Sequence, residues 1–117
     1  MILNAFMQYL EFEKRFSPHT LLAYESDLRQ LEQFLAATFE ISDPKDIRPL
    51  HLRAWMVDLL GNDASPRSVR RKISSVKSWF RFLRKRTEVS HNPAQNLILP
   101  KIGKRLPVVV EQKDMQL

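Results

Sequence analysis

Apolar residues in this chain recur at spacings of three and four along four separate stretches, and that rhythm commits it to packed α-helices. The clearest stretch follows Ser17-Pro18 and carries Leu21, Tyr24, Leu28, Leu31 and Leu35, with Phe34 widening the stripe. Ser17 offers a hydroxyl to free N–H groups, and Pro18 suits the first helical position, where its missing N–H costs nothing. An amphipathic helix of about five turns is expected here, with Arg29 and Gln33 on the wet side and Glu25, Asp27 and Glu32 at its margins. Before it, Leu3, Phe6, Met7 and Leu10 mark a helix over roughly residues 3–15, which Phe16 leaves to pack against the next. Asp43-Pro44 marks a turn within a loop over residues 40–46. Pro49 opens a third helix whose buried side is Leu52, Trp55, Met56, Leu59 and Leu60. Gly61-Asn62 is expected to close it, both residue types tolerating the left-handed conformation. Ser65-Pro66 repeats the start logic of Ser17-Pro18 and launches a fourth helix to about residue 86.

The periodicity stops after Thr87. Residues 92–110 carry three prolines and no sustained pattern, so residues 1–87 are expected to form one helical domain and residues 88–117 an extended linker or tail. A length of 117 residues supports one modest core, and two glycines are too few for a turn-rich β fold. The fold class expected is all-α, and the repeated Ser-Pro starts suggest two helical hairpins. Cysteine is absent, which excludes disulfides, thiolate catalysis and cysteine-based metal sites and is compatible with a reducing cytoplasm. No apolar run is long enough to span a membrane, and the first ten residues lack the pattern of a signal peptide.

Charge is distributed unevenly. Residues 1–66 hold 6 Lys/Arg against 10 Asp/Glu, a net −4, whereas residues 67–117 hold 13 against 3, a net +10. From Arg67 to Arg86 there are nine basic residues and no acid. On a helical wheel of about 100° per residue, Val69, Ile73, Val76, Phe80 and Leu83 gather on one side. Arg67, Arg71, Ser74, Ser78 and Lys85 occupy the other, with Arg81 and Ser75 at its margins. Arg70 and Lys77 lie between the faces, Trp79 extends the apolar side, and Phe82 fits the core only if another helix covers its flank. Long cations can reach phosphates on both sides of a groove, and small serines between them let the backbone come close. An all-basic face repels itself in isolation and calls for an anionic partner, with duplex DNA the leading candidate. A solvated basic face is the plain alternative, and the lack of acids over twenty residues weighs against it. A membrane-surface helix is disfavoured because the apolar side has an internal use, and single-stranded nucleic acid because it calls for several exposed aromatics. Ser17, His19 and Thr20 form a second candidate contact, since free N–H groups at a helix start can meet a phosphate; simple capping explains them equally well.

Catalysis finds no foothold in the residues. His19, His51 and His91 lack metal-ligand spacing, and none pairs persuasively with a serine and an acid. There is no glycine-rich phosphate loop, and no cofactor or metal is expected. Tyr9 and Tyr24 fall in amphipathic helices, where packing with a wet hydroxyl is the ordinary role.

Several motifs together resemble one family. They are Phe16-Ser17-Pro18-His19-Thr20-Leu21 with Ala23-Tyr24 and Asp27-Leu28, then Ser65-Pro66-Arg67-Ser68 with Arg71-Lys72-Ile73-Ser74. Trp79-Phe80-Arg81-Phe82-Leu83, Asn92-Pro93-Ala94, Pro100-Lys101 and Leu106-Pro107 continue the match in order. The pattern resembles the N-terminal core-binding domain of tyrosine recombinases, in the subgroup of Xer-type enzymes and phage or mobile-element integrases. That resemblance implies a SAM-like domain of four helices in two crossed hairpins, forming half of a clamp around double-stranded DNA. It implies that strand cleavage and joining through a tyrosine nucleophile belong to a C-terminal domain, so that this chain is a non-enzymatic fragment or natural truncation. Candidate DNA contacts are then Ser17, His19 and Thr20, and, on the fourth helix, Arg67, Arg70, Arg71, Ser74, Lys77, Ser78, Arg81 and Lys85. Lys101, Lys104 and Arg105 in the tail are expected to follow the DNA backbone. His19 departs from the small polar residue, such as Asn, that the family often carries there. Other recombinase protomers on DNA are the partners implied for the full-length protein, with a monomer expected for the chain alone. A stand-alone DNA-binding regulator and a helical module docking an acidic protein are the alternatives from the residues themselves.

Overall fold

A computed structural model describes residues 3–101, and within them the chain is helical, with no strand. The helices are α1 (Asn4–Phe12), α2 (Pro18–Phe39), α3 (Pro49–Gly61) and α4 (Pro66–Lys85), with a 3-10 turn at Pro44–Asp46. α1 packs on α2 and α3 on α4, the two hairpins meeting where α2 lies against α4 and α3 against α2. This is the all-α arrangement of four helices in two hairpins that the Ser-Pro starts and the family resemblance lead one to expect.

Both Ser-Pro starts behave as capping chemistry predicts. Ser17 Oγ accepts from the Thr20 N–H at 3.3 Å, and Ser65 Oγ from the Ser68 N–H at 3.1 Å. The periodic residues then meet in one core. Leu28, Leu31 and Leu35 of α2 close against Val69, Ile73, Val76, Phe80 and Leu83 of α4, with Leu52, Trp55 and Met56 of α3 and Leu3, Phe6 and Leu10 of α1. Phe16 leaves α1 as expected and stacks on Tyr24, ring centroids 5.6 Å apart. Phe82 gains the cover it needed from α1, with Phe6 and Tyr9 at 5.3 and 5.0 Å.

Several details depart from the sequence-based expectation. Leu60, placed on the buried side of α3, is 40% exposed in the last turn of that helix, and Ser75, placed at the margin of the basic face of α4, is buried. Every α-helix is followed by a non-glycine residue at positive φ: Arg15 (55°), Glu40 (56°), Asp63 (69°) and Thr87 (58°). Thus α1 ends at Phe12 rather than near residue 15, and Asp63, not Gly61 or Asn62, takes the left-handed position beyond α3. Asp27, placed at the margin of α2, is buried. The linker expected from residue 88 is corrected at its near end, because Val89, Pro93 and Ala94 are buried against the core and Leu97 and Leu99 pack on it. The physical reason is that a segment can bury apolar side chains without helical or strand periodicity, so pattern alone does not register it.

Candidate nucleic-acid interface

α4 carries the charge that made it conspicuous, and the fold turns most of that charge outward. Arg67, Arg71, Ser74, Arg81 and Lys85 are exposed, while Arg70, Lys77 and Ser78 are half-buried. The core contacts of Val69, Ile73, Val76, Phe80 and Leu83 fix which way the helix faces, so the cations opposite them are presented on a rigid element. Some are already engaged. The Arg81 guanidinium donates to Ser78 Oγ at 3.1 Å, and Arg70 Nη1 donates to the Pro100 carbonyl at 3.1 Å. The Asn92 side-chain amide donates to the Lys77 carbonyl at 3.3 Å. The segment beyond α4 therefore runs back along it, bringing exposed Lys101 toward the end of the helix that carries Arg70. Lys104 and Arg105 lie outside the described residues.

At the start of α2, Ser17 Oγ serves as the cap and its hydroxyl also meets Thr20 Oγ1 at 3.0 Å, with His19 exposed beside them. The ordinary capping role of Ser17 is thus filled by geometry, and it does not compete with a phosphate arriving at the other N–H groups of the first turn. His51 has a capping role too: its Nδ1 accepts from the Arg48 N–H at 3.0 Å. Burial first, and the Arg48 charge second, lower its pKa below 6.5.

A charged cluster beneath the basic face is the feature that reading residue by residue missed. Asp27 of α2 is only 1% exposed. Its Oδ1 accepts from Arg71 Nη2 at 2.9 Å and Lys72 Nζ at 3.0 Å, and its Oδ2 from Ser75 Oγ at 3.0 Å. Lys72 Nζ also donates to Gln30 Oε1 at 2.5 Å. The acid-free helix is therefore partly neutralised from across the helix interface. A trace of this was present in the pattern: on a wheel of about 100° per residue Lys72 falls within about 20° of Leu83 and of Trp79. A lysine at the edge of an apolar arc needs an acid from a neighbouring helix.

Comparison with known proteins places this architecture. The family described as phage integrase, N-terminal SAM-like domain, matches residues 3–87. The chain belongs to that family. Tyrosine recombinase XerC of Lacticaseibacillus casei is 35% identical over 112 residues, covering 96% of this chain and 38% of the relative. XerC of Pelobacter propionicus is 39% identical over 106 residues, 90% of this chain and 35% of the relative. Tyrosine recombinase XerD of Rickettsia prowazekii is 33% identical over 112 residues, 96% of this chain and 35% of the relative. The chain thus spans little more than a third of the length of these curated relatives. No solved structure matched it. As a phage-integrase SAM-like domain, the chain has no group of three or more His, Asp or Glu side chains able to hold a metal ion among the described residues. No helix among them is long and apolar enough to cross a membrane.

Proposed function

We propose that this chain grips duplex DNA as the core-binding domain of a site-specific tyrosine recombinase or integrase, in the bacterial cytoplasm. The observation that carries the reading is α4: nine basic residues and no acid from Arg67 to Arg86, oriented by a buried apolar side. Arg67, Arg71, Arg81 and Lys85 supply cations reaching phosphates along a groove, while Ser74 and Ser78 keep the surface low enough for close approach. Arg70, Lys77 and Lys101 flank them, and Lys104 and Arg105 are further contacts to the DNA backbone. The helix start at Ser17, His19 and Thr20 offers N–H groups to a further phosphate. In the full-length recombinase, cleavage and joining through a tyrosine fall to a separate catalytic domain, and further protomers assemble on the DNA. The chain alone is a monomer.

Fluorescence anisotropy of a labelled duplex across a salt series tests the reading, beside a single strand of equal length. Neutralising about six phosphates gives a slope of log affinity against log salt near −5, with the duplex preferred. Arg71→Ala weakens binding and Gln33→Ala, on the far side of α2, leaves it unchanged. A flat salt response, or equal effects of the two substitutions, overturns the proposal.

A further inference from the structure

We infer that Asp27 is a positioning residue for DNA recognition, holding the Arg71 guanidinium so that it reads a base edge rather than merely neutralising a phosphate. The inference rests on the duplex-binding role of α4 proposed above. Its basis is the asymmetry of the pair: the Asp27 side chain is 1% exposed and that of Arg71 is 56% exposed. One end of the guanidinium is thus anchored on a buried carboxylate, while most of the side chain stays at the surface. Lys72 and Ser75 hold the same carboxylate from two further positions on α4, so its orientation is set by three donors, all on the helix that bears the basic face.

The chemical consequence follows from the shape of arginine. A guanidinium has five N–H groups in a planar fork, and the hydrogen bond to Asp27 uses one nitrogen, Nη2. The remaining donors can form the bidentate contact that distinguishes guanine in the major groove. That contact needs a fixed plane, since an unanchored side chain spends binding free energy on becoming ordered. A residue whose task is neutralisation alone gains nothing from a buried acid beneath it, because the acid opposes the attraction to phosphate. Asp27 therefore trades general affinity for discrimination.

The trade separates this role from a purely structural one. Asp27→Asn removes a negative charge and loosens Arg71, so affinity for random-sequence duplex should rise severalfold with a steeper salt dependence. Discrimination between a preferred duplex and random duplex should fall about tenfold or more, the scale of one lost bidentate contact. The experiment selects preferred duplexes from a randomised library with the 117-residue chain, then measures preferred and random duplexes with D27N, R71A and the double variant D27N/R71A. D27N/K72M serves as the second test variant, since it also removes the buried ammonium that loss of the carboxylate leaves unpaired. Support is a loss of discrimination with retained or increased random binding, in D27N or in D27N/K72M, that disappears when Arg71 is absent. Equal weakening on both duplexes, or an undiminished effect of D27N in the R71A background, overturns the positioning role while leaving duplex binding intact. Selection that yields no preferred sequence overturns base reading by Arg71. Failure of the wild-type chain to bind any duplex at low salt overturns the DNA-binding reading itself.

Discussion

Asp27, Arg71, Lys72 and Ser75 carry more of the electrostatics of this domain than their number suggests, because the charges of Asp27 and Lys72, and the Ser75 hydroxyl with them, are out of water. The Lys72 side chain is 10% exposed and that of Asp27 1%. A buried ion pair adds little over an apolar replacement, but removing one member leaves the other charge unpaired. Asp27→Ala is therefore expected to destabilise the fold by about 3–5 kcal/mol, read as a lower urea midpoint at unchanged m. Arg71→Ala leaves Lys72 and Ser75 on the carboxylate, and loss of its half-exposed bond should cost only about 1 kcal/mol. His51 works differently, through neutrality. Its folded pKa lies below 6.5, so the unfolded chain takes up the proton first as pH falls. The stability contributed by the neutral cap is complete above pH 6.5 and is lost as pH drops through the lowered folded value. His51→Ala should lower stability at neutral pH by about 0.5–1 kcal/mol. The gap between variant and wild type should close on acidification, as measured by thermal denaturation in a pH series.

The helices start by the rules and stop against them. Ser17 and Ser65 cap the two Ser-Pro starts, whereas Arg15, Glu40, Asp63 and Thr87 follow the helix ends at positive φ, where a Cβ is strained. Ile41 N–H nonetheless reaches the Leu35 carbonyl at 3.1 Å and Phe16 N–H the Leu10 carbonyl at 3.1 Å, the pattern of a helix stop usually built with glycine. Glu40→Gly and Thr87→Gly should each raise stability by about 0.5–1 kcal/mol, visible as a higher Tm, with the β-branched Thr87 gaining more. Gly61 presents the converse case. It closes α3 without positive φ, and a Cβ there would meet nothing within 4 Å. Gly61→Ala should accordingly stabilise α3, by up to about 1 kcal/mol.

Across the whole molecule, the packed unit extends beyond the last helix. Val89 and Ala94 are core residues, and Arg70 and Asn92 tie the segment to α4 at its two ends. Ending the chain after Thr87 would expose the surfaces of α4 that this segment covers and release Arg70 from Pro100. The truncated chain should keep its helical circular dichroism yet lose about 2–4 kcal/mol of stability, the burial of two to three small apolar side chains. Equal denaturation midpoints for the two lengths would show that the segment only rests on the domain. The same strap aligns Lys101 with the basic helix, so truncation should also weaken duplex binding and lower the salt slope.

Much of this architecture was legible from one sequence, because it depends on local chemistry. The Ser-Pro caps and the spacing of Leu28, Leu31 and Leu35 or Val69, Ile73, Val76 and Phe80 act within a few residues of themselves, so the four helices, their starts and most of their buried sides could be read directly, Leu60 and Ser75 being exceptions. The basic side of α4 was legible for the same reason, being what remains once the apolar side is assigned. What tertiary structure alone decided depends on two segments meeting. Whether Asp27 is a wet marginal acid or a buried anchor turns on α4 bringing Arg71, Lys72 and Ser75 to it across more than forty residues of chain. The fate of Phe82 turned on α1, and that of residues 89–100 on a surface of the core with no periodic counterpart in the strap. A carboxylate near a helix edge is stable in water or in an ion cluster, and only the partners that the fold delivers determine which of the two it becomes.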